Sequence, residues 1–156
     1  MNDYVLTSCS PADLSKSHFE ELNIPCIFFH YELGGTSYPD DLWTSMSPTA
    51  FYQAMLDGAT TKTSQVNVME YINFWRPYLE QGKDIIHVTL SSGISGTYNS
   101  AQTAANSLQH DYPDRKIRVV DSLAASSGFG LLLDTMAAKR DAGASLDELA
   151  EFVESR

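Results

Sequence analysis

The chain has 156 residues, 43% of them hydrophobic and 19% charged, which fits one folded domain able to bury about two thirds of the surface its unfolded chain exposes. Twenty acidic residues against ten basic ones give a net charge of -10 at pH 7, which opposes binding to nucleic acid or to an anionic bilayer, since both need clustered Lys and Arg. The chain does not open on a basic segment followed by an apolar run, and no apolar run approaches the roughly 18 residues of a membrane span, so neither secretion nor stable membrane insertion is expected and the default location is cytoplasmic.

Tyr4-Val5-Leu6-Thr7 reads as a short buried strand, Ser8 to Pro11 as a polar turn, and Ala12 to Leu22 as a helix that Asn23, Ile24 and Pro25 end. Cys26 to Tyr31 is rich in β-formers and predicts a second strand, reversed at Gly34-Gly35 into Thr36-Ser37-Tyr38. Ser47-Pro48 opens a helix that Gly58 stops, and a polar loop from Ala59 to Gln65 leads to a helix over Val68 to Glu80. The helical spacing of Met69, Ile72, Trp75 and Leu79 predicts that this face packs on a sheet. Ile85 to Leu90 and Ile117 to Val120 are the clearest strands, and each leads through a Ser/Gly-rich turn into a helix. Ser145 and Glu148 form a capping box opening a last helix, which runs to Arg156 without a stop signal, so a further segment or second domain is expected.

Repeated alternation of strand and helix predicts an α/β fold with a Rossmann-like parallel sheet and helices on both faces. Ligands of such sheets bind beyond the carboxyl ends of the strands, which singles out the loops after Thr7, Leu90 and Val120. Cys9 and Cys26 are too few for a disulfide framework or a zinc site, so neither metal nor cofactor is expected.

The stretch from Leu90 to Ala101, LSSGISGTYNSA, joins strand, small polar turn and helix in immediate succession. Backbone N–H groups, a helix N-terminus and serine hydroxyls together suit an anionic group without a metal or a lysine. Thr60-Thr61-Lys62-Thr63-Ser64-Gln65 is equally rich in hydroxyls and also precedes a helix, so two donor-bearing segments can converge on one head group. The same residues are explained without a ligand if Ser92 or Ser95 caps the helix and the glycines make the turn.

Thr63-Ser64-Gln65, the run Leu90 to Ala101, and Val119-Val120-Asp121-Ser122 with Gly128 and Gly130 together resemble the DegV family. The opening Leu6 to Leu14 and Asn23-Ile24-Pro25 extend the resemblance to essentially the whole chain. It implies that residues 1–156 form the N-terminal lipid-binding domain of a two-domain fatty-acid-binding protein, a lipid carrier and not an enzyme. In such a protein the acyl chain lies in a tunnel with its carboxylate gripped by hydroxyls, and the bound long-chain fatty acid is presented to a fatty acid kinase. Matched by position, Thr63 and Ser95 look like the head-group hydroxyls, with Ser64 and Gly96 beside them. Cys9, Ser92, Ile94, Ser122 and Phe129 are the candidates for lining the pocket. The bound fatty acid is the expected ligand, with no cofactor. The sequence departs from the family at Ser8, where an acidic residue is usual, and at Val66 and Asn67, where proline and serine follow the glutamine. The basic residue and histidine that the family's second domain brings to the head group have no counterpart.

Two other functions compete. Gly93 and Ser95 fit part of the G-x-S-x-G nucleophile elbow of serine acyl hydrolases, but Thr97 replaces the last glycine and no histidine follows Asp121. A non-catalytic interaction module would suit the acidic surface, with Asp40-Asp41-Leu42-Trp43 as a contact segment. His87, inside an apolar strand, reads as a hydrogen-bonded core histidine. Gly128-Phe129-Gly130 lacks the third glycine of a dinucleotide fingerprint and reads as close helix packing.

Overall fold

In a computed structural model describing residues 3–155, the strands in chain order are β1 Tyr4–Cys9, β2 Cys26–Ile27, β3 His30–Leu33, β4 Thr36–Pro39, β5 Thr61–Ser64, β6 Asp84–Thr89 and β7 Ile117–Asp121. The helices are α1 Lys16–Glu21, α2 Pro48–Leu56, α3 Val68–Glu80, α4 Thr97–Asp111, α5 Ser126–Asp141 and α6 Leu146–Glu154. Arg156, the expected end of the last helix, lies outside the described residues.

β1, β2, β6 and β7 form one parallel sheet in the order β2-β1-β6-β7, as the strand and helix alternation predicts. Its register sets Thr7 opposite His87 and His87 opposite Val119. Every residue from Ile85 to Thr89 is buried, because crossover helices cover both faces of a parallel sheet. The His87 ring packs at 5.1 and 5.2 Å from the rings of Tyr71 and Trp75 on α3. Side chains alternate along a strand, so Ile86 and Val88 project from the opposite face. There α6 packs on β6 and β7, while α3 and α4 pack together on the His87 side. None of the described helices is long and apolar enough to cross a membrane.

The Thr7 hydroxyl lies 3.4 Å from the Ile86 carbonyl and 2.9 Å from His87 Nδ1. With the hydroxyl proton directed to the carbonyl, Nδ1–H donates to Thr7 and Nε2 is left a bare acceptor, buried without a partner beside the equally unpartnered Trp75 Nε1. Burial without a second partner lowers the His87 pKa to about 3. The imidazole is a neutral core group.

The remaining strands make a second, antiparallel sheet in the order β4-β3-β5, which the sequence reading did not separate from the first. The expected strand over Cys26 to Tyr31 is divided between the two sheets. At the break, the Phe29 N–H donates to Ser10 Oγ at 3.0 Å and its carbonyl accepts from the Asp40 N–H at 2.8 Å, so non-local partners take the groups that a continuous strand would use. The polar loop expected over Ala59 to Gln65 is in fact β5, held by pairing with β3 at Thr63 and Tyr31 and at Ser64 and His30. Pairing overrides the weak strand propensity of these residues.

Two further boundaries move. The helix expected from Ala12 begins at Lys16, because Asp13 adopts φ 55 after a short 3-10 turn and Ser15 supplies the N-cap to His18 N–H. On α3 the buried face is Tyr71, Ile72, Trp75 and Leu79, while Met69 stays exposed in the first turn. The capping box expected at Ser145 and Glu148 is present, and Asn67 with Glu70 forms a second one that opens α3.

Candidate functional site

A cavity of about 600 Å³ opens between the two sheets. It lies beyond the carboxyl ends of β1 and β6, where Pro11 and Asp13 follow the first strand and Leu90, Ile94, Ser95 and Gly96 follow the sixth. The opposite wall is β3 and β5, which bring in His30, Tyr31, Thr63 and Ser64. Phe29, Trp43 and Phe51 complete an aromatic flank, with the Phe51 ring edge-on to Tyr31 at 5.3 Å and Tyr31 stacked on Tyr38 at 5.4 Å. Of the three loops singled out, those after β1 and β6 line the cavity and the one after β7 does not.

Thr63 and Ser64 from one wall and Ile94, Ser95 and Gly96 from the other therefore line the same cavity. Thr63 stands opposite Tyr31 and Ser64 opposite His30, so the two hydroxyls leave β5 on opposite faces of the small sheet. Ser95 Oγ accepts from the Thr97 N–H at 3.2 Å, capping the first turn of α4 from one residue before its N-cap, Gly96. The helix-capping explanation for Ser95 and its exposure to the cavity thus hold together.

The other proposed lining residues lie elsewhere. Cys9 and Phe129 are fully buried in the core, and burial pushes the Cys9 thiol up to about 12, so it offers no thiolate. The Ser92 N–H donates to the Asp121 carboxylate, which also accepts from the Leu123 N–H and so ties the loops after β6 and β7 together away from the cavity. Ser122 turns its hydroxyl to the Ala124 carbonyl within its own loop.

Gln65 also belongs to the site. Its Oε1 accepts from Ser95 Oγ at 3.4 Å and its Nε2 donates to Ser100 Oγ at 3.1 Å, so it spans from the end of β5 to the entry of α4. Position 96 is glycine for the same reason. A Cβ there would stand 2.9 Å from Gln65 Oε1 and 3.2 Å from Nε2. A glycine after the serine with no turn of positive φ to explain it was the available signal.

The carboxylates lining the cavity are Asp13 and Asp40, joined by the His30 imidazole, and among the described residues no lysine or arginine lines it. Burial raises the Asp40 pKa, and a hydrogen bond with Ser10 opposes that rise. His30 Nε2 lies 3.3 Å from Glu70 on α3. Neutral O–H and N–H donors are consequently the main means by which this wall can hold an anion. Ser95 has Gln65 and Thr97 as partners and no imidazole, and among the described residues no group of His, Cys, Asp and Glu is arranged to hold a metal ion.

A family model described as "Uncharacterised protein, DegV family" matches residues 6–156. A DegV domain-containing protein of Clostridium perfringens is 36% identical over 154 residues, covering 99% of this chain and 53% of that relative. Among solved structures, a stearic acid-binding protein from Eubacterium ventriosum superposes with a TM-score of 0.86 at 30% identity, over 97% of this chain and 52% of that one. A DegV family protein from Thermus thermophilus, described by its fatty acid binding, has a TM-score of 0.85 at 28% identity, over 99% and 53%. The chain spans about half the length of the curated relatives it matches.

Proposed function

The chain belongs to the DegV family, and from that premise we propose that it supplies the head-group half of a fatty-acid-binding site. The supporting observation is that Thr63 and Ser95, from two strand-to-helix corners distant in sequence, line one cavity whose flank is aromatic and aliphatic. The acyl chain supplies affinity, at about 0.8 kcal/mol per buried CH₂ and roughly 10 kcal/mol gross for a long chain before association costs. The hydroxyls supply orientation, since each hydrogen bond to a carboxylate contributes about 1.5 to 3 kcal/mol. Residues 1–156 act as the N-terminal domain of the carrier, and a second domain closes the tunnel. Its partner is a fatty acid kinase that phosphorylates the presented carboxylate, a role supported by the family resemblance.

The enzyme alternative draws no support from the site, because a Ser95 nucleophile needs a base and its hydroxyl is directed to an amide carbonyl instead. Lipid extraction of the purified chain, with oleate titration followed through Trp43 fluorescence, tests the carrier reading. Co-purifying or titratable fatty acid is the expected result. Ester turnover, or no uptake of fatty acid, would overturn it.

A further inference from the structure

Gln65 joins two hydroxyls, and its amide is satisfied in either orientation. As described, Oε1 accepts from Ser95 and Nε2 donates to Ser100. A serine hydroxyl both donates and accepts, so a half-turn about the last side-chain bond exchanges the roles: Oε1 then accepts from Ser100 and Nε2 donates to Ser95. Both states make the same number of internal hydrogen bonds, yet they show different faces to the cavity.

In the first state the Ser95 proton is committed to Gln65 while its oxygen accepts from the Thr97 N–H, so the corner presents a carbonyl oxygen. In the second, Ser95 Oγ accepts from both Gln65 and Thr97. Its proton is then free to point into the cavity beside the spare N–H of Gln65. The first state repels a carboxylate and the second receives it with two donors. The Ser95 to Gln65 separation of 3.4 Å is long for a hydroxyl donor, for which about 2.5 to 3.0 Å is usual, so that bond is readily given up.

We infer that Gln65 determines the head-group specificity of the site, and that an ionised carboxylate binds by turning its amide so that Nε2 faces Ser95. The inference rests on the fatty acid reading above. It answers the observation that, among the described residues lining the cavity, Asp13 and Asp40 oppose an anion, none is lysine or arginine, and His30 Nε2 lies 3.3 Å from Glu70. Gly96 leaves the space in which the amide sits.

The test compares the chain with its Gln65→Glu variant, titrating each with oleate and with oleyl alcohol at a pH where oleate and Glu are both ionised. Glu keeps the shape of Gln but offers only acceptors. Oleate is expected to weaken roughly 10- to 100-fold, while the alcohol, which donates to either acceptor, changes less than about 3-fold. In the unsubstituted chain the Gln65 side-chain amide resonances are expected to shift with oleate and to stay in place with the alcohol. Equal weakening of both ligands, or weakening of neither, overturns the inference while leaving the fatty acid reading intact. Failure of the unsubstituted chain to take up oleate overturns that reading and this inference with it.

Discussion

The Tyr71 phenol and the Thr97 hydroxyl meet at 2.8 Å with both side chains fully buried, fastening the first turn of α3 to the first turn of α4. Thr97 is also the residue whose N–H donates to Ser95 Oγ, so the buried pair fixes the corner from behind. Tyr71→Phe leaves the Thr97 hydroxyl short of a partner and is expected to cost about 1 to 3 kcal/mol in urea denaturation. Adding Thr97→Val removes both polar groups, and the double variant is expected to be less destabilised than the sum of the two single ones.

His87 gives the protein a defined acid sensitivity. Its folded pKa of about 3 lies below the ordinary histidine value of 6.5, so below pH 6.5 the unfolded chain takes up a proton that the folded chain refuses. The contribution is complete above that pH and is lost progressively as pH falls toward 3. Between pH 7 and pH 5 this one group is expected to remove about 2 kcal/mol of stability. Urea midpoints at the two pH values measure it, and in a His87→Leu variant the difference between them should shrink.

Ser95→Ala and Thr63→Ala remove donors from an exposed or half-buried wall and leave the core untouched. Combined, they are expected to cut fatty acid retention by at least about 10-fold, with the thermal midpoint changed by only a few degrees. Retention is read by lipid extraction and folding by circular dichroism. Unchanged retention in the double variant would sink the assignment of these two hydroxyls.

Gly130 marks the closest approach of α5 to the turn after β1. A Cβ there would stand 2.8 Å from Leu14 Cδ2 and 2.9 Å from the Ala12 carbonyl oxygen, and the backbone oxygen cannot yield as a side chain does. Gly130→Ala is expected to destabilise by about 1 to 3 kcal/mol, seen as a lowered thermal midpoint. Gly128→Ala meets only Ala124 Cβ at 3.8 Å, an ordinary contact, and serves as the control.

The parallel sheet was legible because strands buried on both faces are predominantly apolar, and Ile85 to Leu90 reads that way despite His87 and Thr89. In the small sheet the reversal at Gly34-Gly35 was legible, and β3 and β4 pair through it, but the third strand was not, since Thr61 to Ser64 carries no apolar pattern and becomes a strand only by pairing with β3. Likewise nothing local in Cys26 to Tyr31 announces that Ser10 and Asp40 claim the Phe29 backbone. Within the site, the two hydroxyl-rich segments suggested one head group, but the choice of Thr63 and Ser95 came from family resemblance, because no spacing rule joins residues on different sheets. Phe129 and Cys9 were misplaced as lining since an apolar side chain near a loop reads the same whether it faces a cavity or the core, and only packing separates them.

The two donor walls belong to ladders that share no strand; Phe29, held by Ser10 and Asp40, joins their backbones, and Gln65 and the His30 to Glu70 contact bridge them through side chains. A rotation of the smaller ladder about that joint would widen or narrow the gap between Thr63 and Ser95 at the expense of the Gln65 and His30 bridges. Head groups of different bulk can therefore be accommodated by substitutions at the joint, remote from any atom that touches the guest.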